Sequence, residues 1–308
     1  MFSPSGSIQP KESLDDLLLS LEPIWKKAQR FLALDSLIGW EAELHLLKDE
    51  AMALNLALAT WQEAQVKESS PTTVGHVTSK QTGPGLGVGC WPGRVDVYFD
   101  LYIAGVWNTC RTVRCFLLDL ILQLVGILSD NKDHICEQKD AINLLEGILA
   151  SIPYHLTEDL QLFLQDAGKG TRIMNPGRPV GGLLLMHPLF LVLQLSIIPP
   201  QVKEYIKTCL AWIGAHMGIG QASIFARVRI LTTPLYFILL IKDFLKTISN
   251  FTRIKGSSNP DPALRWRLYD CLGRIACLII KIFYKRIKYQ NGNIEDKIQS
   301  LMQLQDTM

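Results

Sequence analysis

The chain has 308 residues, of which 48% are hydrophobic and 19% charged, with a formal net charge of +2. That apolar supply fills a sizeable core and excludes general disorder. A charge so near zero excludes a binder of nucleic acid or acidic membrane built on bulk electrostatics.

Residues 1–10 are polar and lack the apolar core of a secretory leader. The seven scattered cysteines, Cys90, Cys110, Cys115, Cys136, Cys209, Cys271 and Cys277, are therefore expected to be small reduced hydrophobes of an intracellular protein. Ser13, followed by Asp15 and Asp16, reads as a helix start, with an oxygen cap and acids in the first turn. This helix is expected to run to about residue 34. Ser36 is expected to cap a second helix with the apolar seam Trp40, Leu44, Leu47, Ala51, Leu54, Leu58 and Trp61. The spacing alternates four and three, which keeps the seam on one face. Glu41, Glu43, Lys48, Asp49 and Gln62 fall outside it.

From 66 to 94 the periodicity vanishes in a stretch rich in Ser, Thr, Gly and Pro, which reads as a long flexible loop. Residues 97–128 carry the strongest helical pattern. Val106, Cys110, Val113, Leu117, Leu120, Leu124 and Ile127 form its stripe, with Asp100, Trp107, Arg111 and Arg114 on the opposite side. Helices are expected at about 135–150 and 157–166, with Pro153 forcing a break between them. Residues 168–179 read as a loop. Residues 182–195 are short and apolar, a buried helix by this reading with a strand as the alternative. Pro199 and Pro200 open the next helix, with Val202, Tyr205, Ile206, Cys209, Leu210 and Ile213 as its face. Gly218 and Gly220 interrupt before another helix near Gln221.

After Arg227 the chain turns apolar and basic, divided by Pro234 and by SSNPDP at 257–262. The last segment, 263–289, mixes Leu, Ile and Phe with Arg265, Arg267, Arg274, Lys281, Lys285, Arg286 and Lys288. It reads as a terminal helix packed on a core with its lysine stems along apolar surface. The run 116–128 is broken by Asp119 and Gln123, and 230–241 is short and holds Pro234. Neither reaches the roughly 20 apolar residues of a membrane span.

No motif carries chemistry. GPGLGVG (83–89) lacks the preceding strand and following helix of a phosphate loop, so it reads as plain loop. Cys110 and Cys115 point to different sides of a helix, and no second cysteine pair with zinc spacing exists. His45, His76, His134, His155, His187 and His216 form no His-x3-His pattern. Glu41 and Glu43, two apart, face different ways on a helix. Trp107, Asn108, Arg111 and Arg114 could form a basic aromatic patch. Two arginines supply too few phosphate contacts for useful affinity, so the favoured reading is a helix face that ion-pairs within a bundle.

With these residues in view, the chain resembles the C-terminal regulatory region of fungal binuclear zinc-cluster transcription factors. The strings that carry the resemblance are DLYIAGVWNTCRTVRCFLLDLIL (100–122), SIPYHLTEDL (151–160) and PVGGLLLMHPLFLVLQLSIIPPQVKEYIKTCLAWIGAHMGIGQAS (179–223). The helix WEAELHLLKDEAMALNLALATW (40–61) fits the same region. The resemblance implies an all-helical nuclear domain that relays a signal through protein contacts. Members of that family carry a six-cysteine zinc cluster, whereas no cysteine precedes Cys90 in this chain.

The expected fold class is thus all-α, a multi-helix, bundle-like regulatory domain over 1–227 with a flexible insert at 66–94, followed by a diverged basic helical tail over 228–308. The expected function is transcriptional regulation of a fungal metabolic or biosynthetic gene set, not enzymatic. No catalytic, cofactor-binding or metal-binding residue is assigned, and no cofactor. The expected partners are proteins, possibly a full-length zinc-cluster factor, without sequence-specific DNA binding by this chain alone. No transmembrane span is expected, and membrane-surface contact by the basic tail is not favoured. The expected location is the nucleus, with the cytoplasm as alternative. The alternative function is a helical metabolic protein that binds a small molecule between helices.

Overall fold

A computed structural model describes residues 13–32, 34, 36–78, 86–129, 134–169 and 174–227. The basic tail at 228–308 lies outside the described residues.

Ser13 caps α1 (Leu14–Leu19) by accepting from the Asp16 amide at 3.2 Å. The expected single N-terminal helix is two, because the chain breaks at Ser20 before α2 (Leu21–Leu32). Ser36 does not cap the next helix. Its hydroxyl accepts from the Ile38 amide at 3.4 Å in a turn, and α3 (Glu41–Glu63) starts at Trp40 without a side-chain cap. Leu44, Leu47, Ala51, Leu54 and Leu58 are buried as the periodicity requires. Lys48 and Gln62, placed outside the seam from sequence, are buried with them.

The stretch read as a long loop contains β1 (Thr72–Val77), which pairs antiparallel with β2 (Gly93–Val97). The register sets Thr72 opposite Val97 and Val77 opposite Gly93, with an irregularity between Thr73 and Gly75. An isolated pair of strands is marginal in water. This one is anchored because β2 packs on α5 and β1 on α6. Val77, Cys90, Val95 and Phe163 form a small core beneath it. Gly89 has φ 77°, and a side chain there would collide with Met174 and Phe163. The turn therefore needs glycine for both its backbone and its space.

Asp100 caps α4 (Leu101–Leu128) through its carboxylate, which accepts from the Ile103 amide at 2.7 Å. Among the described residues this helix is central, packed against α3, α5 and α7. A helix surrounded in this way buries more than one stripe. Cys110, Val113, Leu117, Leu120 and Leu124 are buried as expected, but so are Asn108, Arg111, Thr112 and Asp119. Trp25 of α2 meets Phe116 edge-on, with centroids 4.7 Å apart.

Pro153 does not break the fifth helix. α5 runs from Ile135 through Pro153 to Leu156. One missing amide near a helix end costs little when the last turn is closed otherwise, and here the Thr157 amide donates to the Pro153 carbonyl. α6 (Leu160–Lys169) begins three residues later than expected, after Asp159, whose carboxylate accepts from the Leu162 amide at 2.9 Å. The apolar stretch read as helix or strand is a helix, α7 (Pro179–Leu193), with proline at its first turn. Gly181 lets α7 cross α5 closely, since a side chain there would overlap the His155 carbonyl. α8 (Pro200–His216) starts at the proline pair, and its buried residues are the six named as its face. α9 (Gly220–Arg227) closes the described chain, with Phe225 stacked on Phe190 at 4.1 Å.

The protein is therefore mostly helical, as expected, with a two-stranded sheet in place of part of the insert.

Candidate functional site

The candidate basic aromatic patch, Trp107, Asn108, Arg111 and Arg114, is not an exposed patch. Asn108 is 0% and Arg111 4% exposed. The Arg111 Nη1 donates to Tyr98 Oη at 2.6 Å, to the Gly147 carbonyl at 2.9 Å and to Asn108 Oδ1 at 3.2 Å. Its guanidinium also lies over the Trp107 ring at 5.4 Å and the Tyr98 ring at 5.8 Å. Among the described residues no carboxylate is within ion-pair distance of it. The expected ion pairs are replaced by neutral acceptors and aromatic faces. Arg114 follows the same rule toward α3, donating to Asn55 Oδ1 at 3.1 Å and to Gln62 Oε1 at 2.5 Å.

α5 is shaped for this contact. Gly147, Ser151 and His155 lie four apart and so form one line along the helix. A side chain at Gly147 would meet the guanidinium at 2.8–2.9 Å, so glycine opens the notch that Arg111 fills. The Asn108 amide donates to Ser151 Oγ at 2.8 Å and meets His155 Nε2 at 3.2 Å. Ser151 passes its own proton to the Ile148 carbonyl at 2.7 Å. Tyr154 Oη donates to the Tyr98 carbonyl at 3.0 Å, tying α5 to the residue after β2.

The protonation states follow from burial. Desolvation, opposed by a backbone hydrogen bond at Gly181 and aided by the nearby Arg111, lowers the His155 imidazole to about 4. A neutral ring is what lets Nε2 accept from Asn108. Burial pushes the Tyr98 phenol up, although Arg111 pulls the other way. Ser151 and His155, at 0% and 1% exposure, are closed to any substrate. Serine, histidine and asparagine meet here as an internal cross-link, since the serine proton is spent on backbone.

The other groups weighed from sequence are dispersed. Glu41 and Glu43 are exposed in the first turn of α3. His45, His76 and His216 are exposed, while His187 is buried and lowered to about 4 by desolvation. Cys90, Cys110, Cys115 and Cys209 are buried and Cys136 is exposed, none of them in a disulfide; Cys271 and Cys277 lie outside the described residues. Burial raises the Cys110, Cys115 and Cys209 thiols to about 12, so they stay protonated. Among the described residues no three His, Cys, Asp or Glu side chains gather as a metal site would require. No described helix is long and apolar enough to cross a membrane.

The described residues also form a concave surface feature. A groove of about 600 Å³ runs between α5 and the start of α8, with Trp91, Leu145, Leu149, Ile198 and Val202 among its walls. Two of its lining residues, Ser196 and Ile197, are held from behind by Asp119, which is 5% exposed. That carboxylate accepts from Ser196 Oγ at 2.6 Å, the Ile197 amide at 2.9 Å and Gln123 Nε2 at 2.8 Å. Gln123 lies one turn away on α4, but periodicity could not reveal Ser196 and Ile197, because they come from a segment distant in sequence. The signal available was the line of small and polar residues at 147, 151 and 155 inside an otherwise apolar helix.

Fold and site together define a mainly helical module whose described buried polar groups cross-link its helices. Over 225 residues the chain is 45% identical to transcription factor dbaG of Emericella nidulans, a match covering 73% of this chain and 53% of that protein. The resemblance to a fungal transcription factor read from the sequence is borne out by this likeness. The chain spans about half the length of the curated relative it matches. No family model matches the chain, and no solved structure matches it.

Proposed function

We propose that this chain is the regulatory part of a fungal transcriptional regulator, that it works in the nucleus through protein contacts, and that it controls a metabolic or biosynthetic gene set. The observation that carries the reading is the 45% identity over 225 residues to a protein named as a transcription factor. The helical module supports it, since Arg111 and Arg114 are spent on bonds between helices and not on a nucleic-acid surface.

Reading a DNA sequence needs a rigid element whose side chains reach base edges, backed by several phosphate contacts. Arg111 and Arg114 point into the protein and contribute nothing to such a surface. The proposed route to DNA is therefore a partner, most simply a full-length factor of the zinc-cluster type. The groove between α5 and α8 favours a second reading, a non-regulatory metabolic protein that holds a small molecule.

Transcript profiling of a strain lacking the gene separates the two. The regulator reading predicts a coordinated change in a gene set. Accumulation of one metabolite with the transcripts unchanged would overturn it in favour of the second.

A further inference from the structure

We infer that the groove between α5 and the start of α8 is a binding site for a flat, largely apolar small molecule that carries a hydrogen-bond donor and no negative charge. Ligand sites are concave, mostly apolar, preformed and on the order of 300–1,000 Å³, and this groove of about 600 Å³ meets each condition. Leu145, Leu149, Ile198 and Val202 line it yet are each no more than 6% exposed, so its walls are deep. It is held open before any ligand arrives. Asp119 clamps Ser196 and Ile197, and Pro199 fixes the backbone entering α8. Trp91 is braced on the Tyr205 ring at 5.1 Å, which offers an aromatic wall for stacking.

The polar lining selects the ligand. Ser196 Oγ spends its proton on Asp119 at 2.6 Å, so toward the groove it presents lone pairs alone. Glu146, the one charged residue among the described lining residues, is an exposed carboxylate that can only accept, and it has no ion-pair or hydrogen-bond partner among the described residues. Gln138 serves either role. Among the described residues no Lys or Arg lines the groove. Lys203, the cation next along α8, is within the field of Asp119 and is not part of the lining. Ser196 Oγ and the exposed Glu146 carboxylate put acceptors at the rim of an apolar slot, and the Asp119 carboxylate is buried behind Ser196, an arrangement that favours a phenol or similar donor over a carboxylate or phosphate.

The site goes beyond the regulator reading and is tested apart from it, because binding is measured on the purified full chain. Three probes of one shape suffice: 4-hydroxybiphenyl, biphenyl and biphenyl-4-carboxylate, titrated at neutral pH by ligand-observed NMR and calorimetry. The phenol is expected to bind at micromolar concentration, with the carboxylate at least about tenfold weaker, or roughly 1.4 kcal/mol. Ile142 lines the groove and is 55% exposed, so Ile142→Lys adds a cation at the mouth with little risk to folding, which a melting curve checks. It should raise carboxylate affinity until the preference is lost or reversed. Equal affinity for phenol and carboxylate would overturn the inference. So would no phenol binding up to about 1 mM, a gap of about 4 kcal/mol being the least a specific site supplies. A preference left untouched by Ile142→Lys would also overturn it, since the probe would then sit elsewhere.

Discussion

A guanidinium buried without a carboxylate is costly unless its donors find acceptors, and Arg111 meets that condition with a phenol, a backbone carbonyl and an amide. Geometry, more than charge, is then what the position requires. Arg111→Lys keeps the charge but cannot reach three acceptors, so it should cost on the order of 2–3 kcal/mol in denaturant unfolding. If the lysine variant unfolds with the wild-type midpoint, the network carries no weight. Gly147→Ala tests the same contact from the other side. Helix propensity alone would favour alanine by about 1 kcal/mol. Here the new methyl meets the guanidinium at 2.8–2.9 Å, so the variant should be less stable and the sign of the change decides the matter. Leu117, at 0% exposure in the centre of α4, gives the reference for an apolar loss. Leu117→Ala should cost about 2–5 kcal/mol.

At the scale of elements, the clearest parts to read from sequence were those whose pattern is local. The face of α8 and the central stripe of α4 from Cys110 to Leu124 needed only spacing and are buried as expected, while Val106 is half-buried and Ile127 is exposed. Three things depended on partners that no local pattern names. The line Gly147, Ser151, His155 is polar because α4 brings Asn108 and Arg111 against it. α5 continues through Pro153 because packing, together with the closing bond from Thr157, outweighs one lost amide. The strand pair was hidden by its Gly, Ser and Thr content, although Thr72, Thr73 and Val74 favour extended backbone and Val95 and Val97 alternate around Asp96. Its stability comes from α5 and α6, which lie later in the chain. Asp119 shows the same dependence on a distant element. Asp119→Ala leaves the Ser196 hydroxyl and Ile197 amide without their acceptor, so the Ile197 amide should exchange with solvent faster, and stability should fall by about 1–3 kcal/mol. Unchanged exchange at Ile197 would show that the turn does not rest on Asp119.

For the molecule as a whole, the buried histidines set its response to acid. His155 and His187 are both lowered by desolvation from 6.5 to about 4. A base with a depressed folded pKa gives stability that is complete above the unfolded value and is lost as pH falls toward the folded one. Stability should therefore drop between about pH 6.5 and pH 4, by up to roughly 3 kcal/mol for each ring. Melting curves across that range check this, and His187→Leu should flatten the slope. A slope the same in that variant would assign the acid sensitivity to other groups.

The central claim is that this helical module acts on transcription through protein contacts and leaves the reading of DNA to a partner. Fusing the full chain to an unrelated DNA-binding domain, in a fungal host with a matching reporter, supplies the DNA contact and leaves the protein contacts to the chain. The account predicts that reporter transcription changes several-fold relative to the DNA-binding domain alone, and that the purified unfused chain selects no sequence from genomic fragments at near-physiological salt, where non-specific attraction is screened. A fusion that is nuclear and bound at the reporter yet leaves transcription unchanged would contradict the account, as would sequence-selective DNA binding by the unfused chain.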